Sequence, residues 1–222
     1  MKHYLTFLKE LGSNRESVGA VAPSTSKLGD SLSKFLQERT GNEPWTVLEV
    51  GPGTGTVTKR ILKALRPGDQ LTLVEVNDQF CKLLDQKART RWKHLLKDVH
   101  FRIECCQLED LDSSQKYDYV ISALPLNNFS YDEVKKILDH YQTLLKPGGK
   151  LSYFEYLYIR EIQKKLNGIR NNRDKINTYY LLENFIQNFQ VESDKVFLNF
   201  PPAVARHFSF NRRPPISQNI TS

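Results

Sequence analysis

The chain has 222 residues, 39% of them hydrophobic, and a formal net charge of +7. This length suits one domain with a sizeable core, and the charge favours anionic partners, either nucleic acid or an anionic membrane face. No apolar run approaches the roughly 20 residues that span a bilayer, no signal-peptide pattern is present, and Cys81, Cys105 and Cys106 lack metal-ligand spacing. The expectation is a cytoplasmic chain with reduced thiols and no disulfide framework.

In chain order, Tyr4, Phe7, Leu8 and Leu11 predict a short amphipathic helix over residues 2–11. A small-residue loop, Val18 to Ser24, leads to a helix over about 26–39, capped by Ser24 or Thr25. Val47-Leu48-Glu49-Val50 reads as a buried strand, followed at once by Gly51-Pro52-Gly53-Thr54-Gly55. Val57, Ile61, Leu62 and Leu65 then recur at helical spacing. Strand, glycine turn and helix together outline a nucleotide-cofactor site, because a backbone without Cβ atoms can turn tightly against a ligand.

A second strand, Leu71 to Val76, carries Glu75 near its end, where a carboxylate can accept hydrogen bonds from ribose hydroxyls. A helix over 78–96, a strand over 99–103, a strand over 117–122 and a helix over 131–145 follow. Lys146-Pro147-Gly148-Gly149 predicts a tight turn into a fifth strand, 150–156. Alternating strands and helices imply an α/β, doubly wound parallel sheet with its ligand at the carboxyl ends of the strands. Residues 159–190 interrupt that rhythm with a basic helical insertion, and strands over 195–200 and 203–210 predict a closing hairpin around Pro201-Pro202. The tail, 211–222, reads as polar and disordered.

The glycine spacing is G-x-G-x-G rather than the dinucleotide G-x-G-x-x-G, and Glu49, just before it, suits a cationic ligand better than a phosphate. Glu49, the glycines and Glu75 together resemble the first two motifs of Rossmann-like methyltransferases that use S-adenosylmethionine (SAM). That resemblance, over roughly residues 40–210, implies a mostly parallel seven-stranded sheet with a closing antiparallel hairpin, preceded by N-terminal helices over 1–39 acting at a membrane or as a substrate lid. It also implies SAM as cofactor, S-adenosylhomocysteine as product, and no metal. Glu49, Gly51, Gly53, Gly55, Glu75, Gln107 and Ser122 become the candidate cofactor-binding residues. Gln107 stands where related enzymes often carry an Asp that accepts from the adenine amine.

Three further segments resemble bacterial phospholipid N-methyltransferases: Val18 to Ser24, Ser122-Ala123-Leu124-Pro125-Leu126-Asn127-Asn128-Phe129, and Phe197 to Ala203. That family methylates phosphatidylethanolamine towards phosphatidylcholine, so the resemblance implies a phospholipid substrate, an anionic membrane surface as partner and peripheral attachment through residues 2–11. Rings near the end of strand five and in the insertion, Tyr153, Tyr179 and Tyr180, are the candidate catalytic residues, because aromatic faces attract ammonium groups. Arg160, Lys164, Lys165, Arg170 and Arg173 are candidates to hold a lipid phosphate. Two rivals stay open. In an rRNA adenine N6-methyltransferase, Ala123 and Leu126 would be replaced by an amide or acid and an aromatic ring, so nucleic acid is not the expected partner. A SAM-binding membrane module without catalysis is the other.

Overall fold

The computed structural model describes residues 23–157, 173–199 and 202–210. The expected helix over 2–11, four of the five candidate phosphate-binding cations (Arg160, Lys164, Lys165 and Arg170) and the tail lie outside them. The strands are β1 (Thr46–Val50), β2 (Gln70–Val74), β3 (His100–Glu104), β4 (Tyr117–Ser122), β5 (Leu145–Tyr156), β6 (Gln190–Val196) and β7 (Ala203–Ser209). They form one seven-stranded sheet in the order β3-β2-β1-β4-β5-β7-β6. β1 to β5 are parallel, and β7 runs antiparallel to both β5 and β6. The doubly wound sheet with its closing hairpin is thus the fold that the residue pattern implies.

Both faces of the central strands are covered, which is why β1 and β2 read as continuous apolar runs. Leu48, Val50, Val120 and Leu151 pack on one face under α5 (Tyr131–Leu144) and α6 (Arg173–Phe189), against Leu138, Tyr141 and Phe185. Val47, Leu71, Leu73 and Ile121 pack on the other under α1 (Pro23–Leu32), α2 (Lys34–Glu38), α3 (Thr58–Ala64) and α4 (Asp78–Arg89). A capping box starts α5: Ser130 and Glu133 satisfy each other's backbone N–H. Asn77 caps α4 by accepting from the Gln79 N–H at 2.9 Å.

Polar atoms inside the sheet are tied across strands. Tyr119 Oη lies 2.7 Å from Ser152 Oγ, which lies 2.7 Å from His207 Nδ1, and His207 Nε2 lies 3.3 Å from Asp194 Oδ2. Four strands are linked by that chain, and burial holds the His207 pKa below its ordinary value. Beneath the amino ends of the strands, Arg39 and Asp69 form a fully buried forked pair, and Asp69 also accepts from the Trp45 and Arg66 N–H groups.

Several boundaries differ from expectation. The helix expected over 26–39 begins at Pro23 and breaks at Ser33, whose hydroxyl donates back to the Gly29 carbonyl at 2.9 Å. The helix expected to reach 96 ends at Arg89, beyond which Thr90 leaves helical geometry. β5 includes Lys146 to Gly149 rather than starting after them, with Gly148 bending the chain at φ 76°. β6 begins at Gln190, five residues before the expected strand, and ends at Val196. Its exposed positions, Val191, Glu192, Ser193 and Lys195, mix apolar, polar and charged residues, so no apolar alternation marks it. Cys81 and Cys105, expected as separate thiols, are joined as a disulfide, with Cα atoms 6.2 Å apart. Sequence spacing could not foresee this, because the fold brings the start of α4 beside the end of β3.

Removing one partner of a buried ion pair strands the other charge. Asp69→Asn is expected to lower the unfolding free energy by about 3 kcal/mol, read as a lower urea midpoint. An unchanged midpoint would show that Arg39 finds another partner.

Candidate active site

The strand order diverges from β1, towards β2 and β3 on one side and β4 and β5 on the other. In such sheets the ligand crevice opens at the carboxyl ends of the strands flanking that point. The glycine turn, Glu75 and the loop after β4 all lie there. Ala123 N–H donates to the Val50 carbonyl at 2.9 Å, closing the loop onto the end of β1, and Gly51 N–H donates to the Val74 carbonyl at 2.9 Å.

Glu75 organises this corner. Its Oε2 accepts from Gly53 N–H at 3.0 Å and its Oε1 from Asn77 N–H at 2.9 Å, so one carboxylate joins the turns after β1 and β2. Each oxygen keeps a further lone pair for an outside donor such as a ribose hydroxyl. Burial raises the Glu75 pKa, and the two N–H bonds oppose that shift. Asn77 was not among the expected site residues, although an Asn just before a helical run is an N-cap signal.

Gly51, Gly53 and Gly55 all have positive φ, at 69°, 55° and 78°. Gly53 and Gly55 nevertheless differ in role. A Cβ on Gly53 would meet nothing within 4 Å, so its face is open to a ligand. A Cβ on Gly55 would stand 2.4 Å from the Trp92 ring and 2.9 Å from Leu84. Gly55 is therefore required by packing under the turn.

Glu49 is fully buried on the α3 side of β1, and neither carboxyl oxygen has a hydrogen-bond partner among the described residues. The Thr58 hydroxyl faces it outside hydrogen-bonding geometry. Burial, reinforced by the nearby Glu75 charge, pushes the Glu49 pKa up to about 8. Ser122 is fully buried, and its hydroxyl accepts from Tyr141 Oη at 2.7 Å and from Leu124 N–H at 3.3 Å. It thereby holds the loop after β4 from inside. Gln107 is half-buried just before the 3-10 turn Leu108–Asp110, beyond the carboxyl end of β3.

The three candidate rings are not brought together as a cage. Tyr153 is fully buried, stacked on Phe208 with centroids 5.1 Å apart, and its hydroxyl donates to Glu155. A ring with no exposed face cannot receive a head group, so Tyr153 is a core residue. Tyr179 and Tyr180 pack edge to face at 5.4 Å on α6; Tyr179 is half-buried and Tyr180 is 51% exposed. The start of α6 is pinned to the loop after β4, because Lys175 Nζ donates to the Phe129 carbonyl at 2.7 Å and Tyr131 N–H to Asp174 at 3.2 Å. The helix thus starts at the crevice end of the sheet, and the two rings lie on its seventh and eighth residues. No group of residues suited to a metal ion occurs among the described residues.

Residues 48–151 match the methyltransferase domain family. An ornithine lipid N-methyltransferase from Singulisphaera acidiphila is 24% identical over 153 residues, covering 67% of this chain and 76% of its own length. The chain also matches polyketide synthases, of whose length it spans about 3–5%. Among solved structures, the N-methyltransferase NodS from Bradyrhizobium japonicum, in complex with S-adenosylhomocysteine, superposes with a TM-score of 0.57 at 14% identity, over 85% of this chain and 88% of its own. The 1,6-didemethyltoxoflavin-N1-methyltransferase of Burkholderia thailandensis gives 0.61 at 16% identity, over 94% and 88%.

Over residues 48–151 the chain thus matches a methyltransferase domain, and its seven-stranded sheet is the fold of the solved methyltransferases. The residues present fit S-adenosylmethionine at two points: the open face of Gly53, and the orphaned Glu49 carboxyl, which suits a positively charged group.

Two expectations separate the roles of these residues. Gly53→Val and Glu75→Ala should each weaken SAM binding at least about tenfold, roughly 1.4 kcal/mol. Gly55→Val should lower the melting temperature further than Gly53→Val, because both put a branched residue at positive φ but only the former collides with Trp92. Calorimetry showing native affinity in both of the first two variants would contradict this assignment. Glu49 holds its proton more tightly folded than unfolded, so its contribution to stability is complete below about pH 4.5 and is lost as pH rises to about 8. Glu49→Gln should therefore lose less stability than the native chain between pH 5 and 8.5, by on the order of 1–3 kcal/mol in denaturant titrations of the ligand-free protein.

Proposed function

We propose that the chain transfers methyl groups to the amine of a lipid head group, with phosphatidylethanolamine as the first candidate acceptor. The observation that carries this reading is the similarity to a lipid N-methyltransferase over 67% of the chain. Two features support it. Tyr179 and Tyr180 offer aromatic faces to an ammonium group. Phe197 and Leu198, 63% and 64% exposed, follow directly on the end of β6. Val196 is in register with Ala203, and Ala203 with Tyr156, so this apolar tip stands at the same end of the sheet as the crevice. Paired with Lys195, such a tip suits shallow contact with an anionic bilayer. No helix among the described residues is long and apolar enough to cross a membrane.

When bound, SAM would supply an electrophilic methyl: an N–C bond forms from the amine lone pair as the C–S bond breaks, the thioether of S-adenosylhomocysteine leaves, and the methylated ammonium gives its proton to solvent. The protein's part is alignment, worth on the order of 7–11 kcal/mol in well-oriented reactions. Glu75 and the glycine backbone hold the cofactor side, while α6 and the loop after β4 hold the acceptor side. That loop does not favour a nucleobase: Leu126 and Phe129 are buried, so neither presents a ring or polar group for stacking an extruded base.

The test is incubation with methyl-labelled SAM and either phosphatidylethanolamine vesicles, ornithine lipid vesicles or ribosomal RNA. Label in a lipid amine is the expected outcome, and label in RNA alone would overturn the reading. If the rings hold the head group by cation–π attraction, Tyr179→Ala or Tyr180→Ala should lower lipid methylation by roughly 2- to 30-fold with SAM affinity nearly unchanged. Phe at either position should be milder, because the ring remains.

A further inference from the structure

A second concave site lies on the other side of the glycine turn from the crevice. It is a cleft of about 540 Å³ between α3, the turn Thr54–Thr56 and the segment that follows α4. Neither Gly53 nor Glu75 lines it, and no Asp or Glu does. Its apolar wall is Trp92 with Leu95, while Lys59, Lys63 and Arg91 stand around it.

The charges around this cleft are uneven in their commitments. Arg60 is engaged by Asp30 at 2.7 Å, and Lys87 donates to the Thr54 carbonyl at 2.6 Å. Lys59, Lys63 and Arg91 have no hydrogen bond or ion pair among the described residues. Lys59 and Lys63 are one helical turn apart on α3, a like-charge spacing that destabilises a helix. Arg91 faces them from the other wall, close enough that its charge adds to burial in lowering the Lys87 pKa. Three uncompensated cations converge from two elements on one hollow.

A planar carboxylate presents two oxygens in one direction, whereas a phosphoryl group spreads a larger charge over oxygens pointing several ways. Arg91 can contact such a group with two N–H donors, and the two lysines act as point charges. The Trp92 and Leu95 wall suits the carbon skeleton of an ester better than a bare inorganic ion.

We propose that this cleft binds the phosphoryl group of a phosphoester, supplied either as a small soluble ester or as an anionic lipid head group. The site is independent of the methyl acceptor and does not require that acceptor to be a lipid.

The experiment uses the full chain and two probes: glycerol 3-phosphate by calorimetry, and vesicles of phosphatidylcholine containing phosphatidic acid by co-sedimentation. Glycerol 3-phosphate should bind the native chain, more weakly as salt rises, and at least tenfold more weakly in the variant Lys59→Gln, Lys63→Gln, Arg91→Gln. Melting temperature and SAM affinity should be unchanged, since these three side chains hold no other partner. If the triple variant does not fold, Arg91→Gln alone should still cost severalfold. Loss of vesicle binding in the variant, with glycerol 3-phosphate competing in the native chain, assigns the phosphoryl group to a lipid. Vesicle binding equal in both chains, with soluble ester binding lost in the variant, assigns it to a small phosphoester. Native protein that binds neither probe, or a folded variant that binds both as the native chain does, overturns the proposal.

Discussion

One carboxylate holds the crevice together. Glu75 ends the run of β2 and takes the Gly53 and Asn77 N–H groups, one on each oxygen. Without it the turn after β1, whose three glycines have positive φ, would be tied to β2 only through the Gly51 N–H bond to the Val74 carbonyl. The Asn77 contact passes the constraint on, since the same residue caps α4 and so sets where that helix starts. A buried carboxylate with two charge-assisted bonds is also rigid, so the part of the protein that must meet a ligand is formed before the ligand arrives.

Around this corner the sheet divides its labour by face. The face under α5 and α6 is filled mostly by rings and leucines, with Tyr153 stacked on Phe208, and its buried polar contacts are the hydrogen bonds of Tyr141 to Ser122 and of Tyr153 to Glu155. The face under α1 to α4 carries Glu49 and the Tyr119, Ser152 and His207 relay. The relay is satisfied at each step and ties strands together. Glu49 is not satisfied, and it sits directly before the glycine turn. Buried polar groups without partners are uncommon in folded chains and concentrate where a ligand completes the set.

Much of this was legible in the amino-acid order. The central strands announce themselves as apolar runs, and β4 falls on the residues expected, Tyr117–Ser122. The glycine turn after β1 and Glu75 after β2 stand where spacing puts them, because strand, tight turn and acid are local patterns. What escaped depends on contacts distant in sequence. Gly55 looks like Gly53 in the sequence, and only the approach of Trp92 shows that one serves packing and the other the crevice. Tyr153 is a candidate for its aromatic face near the end of β5, yet β7 returns antiparallel and lays Phe208 across its ring. β6 was misplaced because its exposed edge mixes Val191 and Ser193 with charged residues and so hides its own alternation. The Cys81–Cys105 pairing likewise depends on β3 returning beside α4.

The placement of β7 has a consequence for how the protein is made. β5 lies inside the finished sheet, but its partner on one side, Ala203–Ser209, leaves the ribosome well after it does. During that interval β5 is an open edge carrying Leu151 and Tyr153, the kind of surface that pairs with other nascent chains. The polar β6, made just before β7, then becomes the permanent margin. Translation arrest between Tyr156 and Ala203 would therefore leave a species far more prone to aggregate than the complete chain, and one that chaperones engaging exposed strands are suited to hold.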